Sequence, residues 1–273
     1  MAELWTPSGG VNRKLKELYA ASGGVNRKLK EFYAVSGGVN RKIFSGSIPV
    51  SSLPVGTKIK LKENGAFANY IVVNQGKPSS GYDDSCDGTW ILRESISETK
   101  QWHSSNVNDY ANSTIKTYLN GTFLALFDSA IQNAIKQVKI PYRPGSGTSS
   151  TVNSGSSGLS CKIFLLSGYE MGWTSSDNQY FPADGAKLSY FDSGTGATAN
   201  NKRIAYLSGR ATHWWLRSPR TSGSTYAWFV YTLGGYGDDS CSGSGGVRPA
   251  LVLDFKSGVL STPDTDGVFI LDV

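Results

Sequence analysis

The chain has 273 residues, of which 39% are hydrophobic and 12% aromatic, and its formal net charge is +6. This length can bury a large core, and the composition is that of a globular protein rather than a disordered one. No run approaches the roughly 20 apolar residues of a membrane span, and no basic-then-apolar signal pattern opens the chain. Three widely spaced cysteines indicate neither a disulfide framework nor a CxxC metal site. We expect synthesis in a reducing cytoplasm and no membrane partner.

The positive charge is concentrated at the N-terminus. Residues 1–45 carry eight Lys and Arg against three Glu, or +5, which leaves +1 on the other 228 residues. A nearly neutral body has no broad basic field, so nucleic acid is not expected as a partner of the body.

The same segment is an internal repeat. Residues 8–21 and 22–35 agree at twelve of fourteen positions, and a third copy starting at Ser36 breaks off after Phe44. A Gly-Gly pair in every unit prevents one continuous helix, while apolar residues at 4-then-3 spacing predict a short amphipathic helical turn. Such short units become ordered by stacking on one another, on other subunits or on a larger assembly. We interpret residues 1–45 as a docking or oligomerisation arm, with a flexible linker or a phosphate-contacting arm as alternatives.

The body, residues 46–273, begins with short strands. Lys58–Lys62 and Ala68–Asn74 are predicted to be strands that flank an Asn64-Gly65 turn, because this dipeptide is a strong hairpin signal. Thr89–Arg93 is predicted to be a further strand, and the apolar run Lys162–Ser167 a buried one.

Helices are predicted between residues 108 and 138. Ser113 can cap a first helix that ends at Asn120-Gly121. A second helix is predicted from Asp128 through Val138 in helical phase, and Pro141 stops it.

Long loops separate these elements from the C-terminal strands. Thirteen of the sixteen residues in 145–160 are Gly, Ser or Thr, which predicts an exposed loop. Residues 168–213 are also predicted to be mostly loop. Two helices, several short strands and long loops predict an α+β fold with a mixed, mainly antiparallel sheet.

Sequence signatures of catalysis are missing. The chain contains no GxSxG elbow, phosphate-binding loop, GxGxxG or zinc motif. We expect His213 beside Trp214 to be a packed residue, and Cys241 has no recognisable catalytic partner. Asp83-Asp84 and Asp238-Asp239 are expected to be solvated turn residues, with ligand contacts or calcium as the alternative. The prediction is therefore of a protein that is not an enzyme, with no catalytic residue, no metal and no cofactor.

The segment from 214 to 253 is the most informative. It reads WWLRSP, then an insert of Gly, Ser, Thr, Tyr, Trp and Asp, then VRPALVLDF. Trp214–Arg217 and Val247–Leu253 are predicted to be neighbouring core strands, with Arg217 and Arg248 in structural roles. Thr225–Leu233 alternates so that one set of side chains faces the core and the other faces out. The insert has the composition of a recognition surface, because Tyr and Trp give contact area while Ser, Gly and Asp give adaptable hydrogen bonds.

These residues also carry a resemblance. The ordered set LPVGTKIKL, NDYANSTIKTYLN, KIFLLSGYE, RIAYL, WWLRSP and GVRPAL is similar to a domain common in Firmicute phages and prophages. That domain is usually assigned to the C-type lectin-like fold, and the GVNRK repeats resemble N-terminal arms of the same virion-associated proteins. The insert also resembles the variable region of receptor-binding proteins diversified by retroelements.

The resemblance implies a phage virion protein of the tail or capsid surface, made in the bacterial host cytoplasm. Residues 46–273 would bind a bacterial surface ligand, protein or glycan, through the exposed 220–245 region. The arm would contact other virion proteins or form a homo-oligomer, with a trimer as one form. The implied ligand-binding residues are Ser222, Ser224, Tyr226, Trp228, Tyr231, Tyr236, Asp238, Asp239 and Ser240.

Two alternatives remain open on the same fold. One is a structural decoration protein of the virion without a dedicated receptor site. The other is an enzyme related to the formylglycine-generating enzymes, which share the broad fold. This chain lacks a convincing paired-cysteine site of the kind that those enzymes use.

Overall fold

The computed structural model describes residues 5–8, 11–14, 18–22, 25–29, 31–36, 39–145 and 151–273. Residues 146–150 of the predicted loop, and Leu15 of the predicted helical turn, lie outside the described residues. The described part is mostly β-sheet with a few short helices, which is compatible with the predicted α+β class.

The arm consists of three β-hairpins, so the prediction of helical turns is wrong. In the sequence only two residues, Gly-Gly in every repeat, separate the paired strands of each hairpin, and so short a separation favours antiparallel strands over a helix. Val, Tyr and Phe, which occur in these units, also favour strands. The pairs are β1 (Trp5–Ser8) with β2 (Val11–Lys14), β3 (Leu18–Ser22) with β4 (Val25–Leu29), and β5 (Glu31–Ser36) with β6 (Val39–Ser45).

The body contributes the remaining strands, most of them short. In chain order they are β7 (Ser47–Pro49), β8 (Lys58–Glu63), β9 (Ala66–Gln75), β10 (Thr89–Arg93), β11 (Glu98–Gln101), β12 (Val138–Ile140), β13 (Leu159–Cys161), β14 (Ile163–Phe164), β15 (Tyr206–Leu207), β16 (Arg210–Ala211), β17 (Trp214–Pro219), β18 (Tyr226–Val230), β19 (Tyr236–Ser240), β20 (Ser244–Val247), β21 (Ala250–Leu253), β22 (Gly258–Leu260) and β23 (Phe269–Asp272).

One sheet has eight strands in the order β14-β21-β10-β9-β8-β23-β22-β7. Its pairs are antiparallel except β23 with β8. The β8–β9 hairpin turns at Asn64 and Gly65, whose φ values of 48° and 81° match the predicted Asn-Gly turn. The predicted strand Thr89–Arg93 is confirmed as β10. The predicted strand Lys162–Ser167 is shorter, because only Ile163–Phe164 pairs.

The second sheet has five strands in the order β11-β20-β17-β18-β19. WWLRSP forms β17, which pairs antiparallel with β18 and parallel with β20. The prediction that Val247–Leu253 is one strand beside β17 is wrong. Val247 ends β20, whereas Ala250–Leu253 is β21 of the larger sheet. Pro249, which cannot donate a ladder hydrogen bond, lies between them and marks the crossing from one sheet to the other.

The helices are shorter than predicted, although the predicted Ser113 cap and the predicted start of the second helix at Asp128 are confirmed. They are α1 (Thr114–Tyr118), α2 (Ser129–Ala134) and α3 (Ala197–Asn201). Ser113 Oγ accepts from Lys116 N at 3.2 Å, and Asp128 Oδ1 accepts from Ile131 N at 2.9 Å. Beyond α1 the chain continues as a π-helical turn over Leu119–Phe123 instead of ending at Asn120-Gly121.

The second helix ends early because its predicted C-terminal part is needed elsewhere. Val138 begins β12 and lies opposite Cys161 of β13. A long-range strand pairing therefore overrides the helical periodicity that runs through Val138.

Two apolar clusters fill the interior and share the two sheets between them. Trp215 and Phe229 of the five-stranded sheet lie in the first cluster, together with Ile91 of β10 and the α1 residue Ile115. Trp214 and Trp228 lie in the second, whose other members include Trp90, Trp173 and Phe181. The five-stranded sheet is therefore covered on both faces, and the β18 side chains from Ala227 to Val230 are buried whichever face they point to.

Candidate functional site

The predicted ligand-binding residues lie on the β18–β19 hairpin and on the loop before it, residues 220–225. β18 spans five residues, so its two ends are about 14 Å apart. Tyr226 lies opposite Ser240 at one end, and Val230 lies opposite Tyr236 at the other. The structure therefore divides the predicted site into a loop end, near Tyr226, and a turn end, near Tyr231.

The loop end is fixed by a residue that the sequence does not mark as functional. Asn108 is fully buried, and its Nδ2 donates to the carbonyl oxygens of Arg220 at 3.2 Å, Gly223 at 3.3 Å and Tyr226 at 3.0 Å. Its backbone N–H donates to Ser224 O at 2.7 Å. One buried amide therefore sets the path of the loop that carries the predicted serines.

An arginine between two tyrosines forms the surface of this end. The Arg220 guanidinium lies 4.7 Å from the ring centre of Tyr180 and 6.0 Å from that of Tyr226. Its Nη1 donates to Asp238 Oδ2 at 3.2 Å. Because both charged groups are partly exposed, this ion pair contributes at most about 1 kcal/mol. Its consequence is geometric, since it orients Asp238 toward Arg220, while Tyr226 keeps 41% of its surface exposed.

Polar contacts hold the end of β19. Ser240 Oγ donates to Asn106 Oδ1 at 2.7 Å, and Asn106 Oδ1 also accepts from Ser242 N at 3.2 Å. Ser240 is half-buried as a result, whereas its neighbour Asp239 is exposed. Ser222 and Ser224 in the loop are also half-buried. The loop end thus combines an exposed tyrosine, an exposed carboxylate and partly accessible hydroxyls on a fixed backbone.

The turn end presents two apolar side chains. Tyr231 is 50% exposed and Leu233 is 79% exposed. Tyr231 N donates to Gly235 O at 2.7 Å to close the turn. Gly234 has a φ of 79°, and a Cβ there would lie 2.1 Å from Asn200 O, so only glycine fits. Leu233 was not predicted; its sequence signal is an apolar residue directly before a Gly-Gly pair.

Two predicted contact residues are structural instead. Trp228 is 1% exposed, its ring stacks on Phe181 at 4.1 Å, and its Nε1 donates to Tyr180 O. Tyr236 is half-buried, packs edge-on against the same rings, and donates its hydroxyl to Asp177 O at 2.7 Å. The prediction that Trp228 is a ligand-binding residue is wrong, because the 168–205 segment covers that face of β18.

A buried ion pair involves Arg217 of the neighbouring strand β17. Arg217 Nη2 donates to Glu170 Oε1 at 2.7 Å, and Tyr82 Oη donates to the same carboxylate at 2.7 Å. Burial alone would lower the pKa of Arg217, but the Glu170 carboxylate outweighs it and raises that pKa. The guanidinium therefore stays charged in the core. The predicted structural role of Arg217 is confirmed, as is that of Arg248, whose Nε donates to Arg93 O at 2.9 Å.

A second buried carboxylate, Asp184, adjoins this pair. Ser218 Oγ lies 2.9 Å from Asp184 Oδ2, and the Asp184 carbonyl accepts from Arg217 Nη2 at 2.8 Å. Burial raises the pKa of Asp184 to about 7, against the opposing effect of Arg217. This carboxyl therefore changes its charge near neutral pH.

The other reactive side chains are placed for packing. Burial raises the pKa of Cys241 to about 12, and those of Cys86 and Cys161 equally, so these thiols are not activated as nucleophiles. His213 contacts the Ser244 carbonyl at 3.0 Å and packs against Phe229, as predicted. Across the described residues, no group of three or more His, Cys, Asp or Glu side chains could hold a metal ion. Nor is any described helix long and apolar enough to cross a membrane.

The fold and this surface define a β-rich domain that exposes polar and aromatic side chains on a backbone held by buried hydrogen bonds. Residues 87–255 match a protein family described as Domain of unknown function (DUF6273), and the chain belongs to that family. The match includes the five-stranded sheet and the whole candidate site, whereas the arm and strands β7–β9 precede it. No curated protein and no solved structure matches the chain.

Proposed function

We propose that this protein is a non-enzymatic component of a phage virion, on the tail or capsid surface, that binds a ligand on the bacterial cell surface. The body binds through the exposed side chains of the loop end and the turn end. The arm attaches it to other virion proteins or to further copies of the chain.

The observation that supports binding most directly is a separation of roles at the candidate site. Tyr226, Tyr231 and Asp239 are exposed, while the backbone that carries them is held by buried groups such as Asn108. A backbone held in this way loses little entropy on binding, and exposed Tyr residues are common binding hot spots. A surface that only decorates a particle does not need such a preorganised backbone.

The proposal also includes the fold family and the origin of the insert. Two packed sheets, short helices and a long irregular segment between β14 and β17 are compatible with a C-type lectin-like fold. In that fold the exposed side chains within residues 220–245 would be the ones that a retroelement diversifies. The raised thiol pKa values weigh against the alternative of a cysteine-dependent enzyme.

A binding experiment tests this function. Fluorescently labelled full-length protein is titrated onto a panel of bacterial strains, alongside the triple variant Tyr226→Ala, Tyr231→Ala, Asp239→Ala. Loss of two tyrosine hot spots at about 1–2 kcal/mol each predicts roughly a 30-fold to 1000-fold weaker affinity. The melting temperature should change little, since surface substitutions are usually within about 0.5 kcal/mol.

The matched control is Phe67→Ala, which removes an aromatic side chain that is 51% exposed on β9 of the other sheet. This variant should bind the strains as the unmodified protein does. If the triple variant also binds normally, the receptor-binding role is refuted and a structural decoration protein becomes the better description.

A further inference from the structure

Each hairpin of the arm has two strands and therefore two outer backbone edges. Among the strands that the structure describes, the pairs β1–β2, β3–β4 and β5–β6 each form a separate two-stranded sheet. A lone two-stranded hairpin is marginally stable in water, and a free edge is a template for another strand. The arm therefore offers a series of similar edges that an additional strand would stabilise.

The register shows which backbone groups lie on those edges. Ser22 lies opposite Val25 across a two-residue loop, and such a flanking pair exchanges the first hydrogen bonds of the hairpin. Pairs then alternate along an antiparallel ladder, so the N–H of Asn26 points away from its partner strand. Asn40 occupies the same position in the third hairpin and Asn12 in the first. These asparagine amides are edge donors.

Pro7 fits this pattern. It lies opposite Asn12, at an outward-facing position of the first hairpin. Proline has no N–H, so it is tolerated there and blocks the outer edge of β1. The corresponding residues of the next two hairpins, Ala21 and Val35, retain their donors. The first strand of the arm is thus closed to pairing, while later strands remain open.

We propose that the open hairpin edges pair with the hairpins of other copies of this same chain, so that the arm holds several bodies together through intermolecular β-strands. This inference deepens the proposed function, on which it rests for an assembly role of the arm. A second copy is the occupant that the repeat favours. The strand VNRK recurs unchanged in all three hairpins, so every copy presents an edge that matches in length and register.

The charge of the arm distinguishes self-association from binding to an acidic partner. Each arm carries +5, so two arms repel one another. Self-pairing must then strengthen when salt screens this repulsion, whereas docking to an acidic protein or to nucleic acid would weaken.

Sedimentation of the full-length protein at low and high salt tests the proposal. Between about 50 mM and about 500 mM salt, where the screening length falls severalfold, the dissociation constant of self-association should decrease at least severalfold. The double variant Asn26→Pro, Asn40→Pro removes two of the edge donors and should self-associate at least severalfold more weakly than the unmodified protein at both salt concentrations. The matched variant Asn26→Ala, Asn40→Ala keeps both N–H groups and should assemble like the unmodified protein. A protein that is monomeric under all conditions, or Pro and Ala variants that assemble alike, would overturn the proposal.

A spin label gives a readout that does not depend on proline. A single Asn40→Cys variant can be labelled selectively, because the native cysteines Cys86, Cys161 and Cys241 are free and buried. Labels on paired arms should broaden the spectrum, and dilution with unlabelled chain should remove the broadening. An unbroadened spectrum of the assembled protein would overturn edge pairing. Assembly without cell binding would refute the proposed receptor role alone, and cell binding by a monomer would refute this inference alone.

Discussion

Asn108→Ala should loosen the loop end while leaving the rest of the body folded. The substitution removes the amide that donates to three carbonyl oxygens. Tyr226 O keeps a second donor, because Arg220 N donates to it at 3.0 Å. The Arg220 and Gly223 carbonyls lose the contact. At about 1 kcal/mol for each lost hydrogen bond, plus a small cavity, the cost should be about 2–3 kcal/mol.

Melting temperature and hydrogen exchange measure this effect. For a chain of this size, that cost corresponds to a decrease of about 4–12 °C in melting temperature. Hydrogen exchange should speed up at the backbone amides of the loop, residues 220–225, but not at those of β10. Reordering the loop on binding should also weaken affinity for cells by about 3–10-fold, given roughly 1 kcal/mol per ordered side chain.

Asn112→Ala is the matched control for this experiment. Asn112 is exposed, and its amide donates to the Asp109 side chain at 2.7 Å. The control should melt within about 2 °C of the unmodified protein, as is usual for surface substitutions. If Asn108→Ala melts and exchanges like this control, the loop is not held from below and the argument for a preorganised surface is refuted.

Two further predictions concern the core. Asp184→Asn should flatten the pH dependence of stability: a carboxyl whose pKa is raised to about 7 in the folded state contributes stability that is full below pH 4 and is lost as pH rises through 7. The variant's stability relative to the unmodified protein should thus increase by up to roughly 4 kcal/mol from pH 4 to pH 8 in urea titrations, and parallel pH profiles would contradict the burial of this charge. Trp215→Ala should cost about 3–5 kcal/mol, because Trp215 is fully buried and its Nε1 donates to Lys100 O at 2.9 Å; a normal melting temperature would show that β17 is not core.

Local signals in the sequence predicted local structure well. The Asn64-Gly65 turn, the Ser113 cap, the start of a helix at Asp128 and the strand Thr89–Arg93 all occur where they were predicted. Each depends on residues within a few positions of one another, so the sequence contains the necessary information.

Predictions that depended on distant pairing failed. Val138 continues a helical period in the sequence but pairs with Cys161, and Trp228 was expected to contact a ligand but is covered by Phe181. Which element covers a strand is decided by the whole fold, and a single strand's periodicity cannot show it. Asn108 was missed for the same reason, because its three acceptors lie more than a hundred residues away.

Different residues hold the backbone at the two ends of the candidate site, and this determines which side chains can be substituted without changing the backbone. The loop end depends on Asn108, while the turn end depends on the contact of Gly234 with Asn200. Asp239 and Leu233 themselves are exposed. Exposed side chains such as these can change at a cost within about 0.5 kcal/mol, whereas changes to either support alter the backbone that presents them. If the proposed receptor-binding role holds, binding specificity would be carried by exposed side chains of the hairpin such as Asp239, and folding stability by residues outside the hairpin such as Asn108.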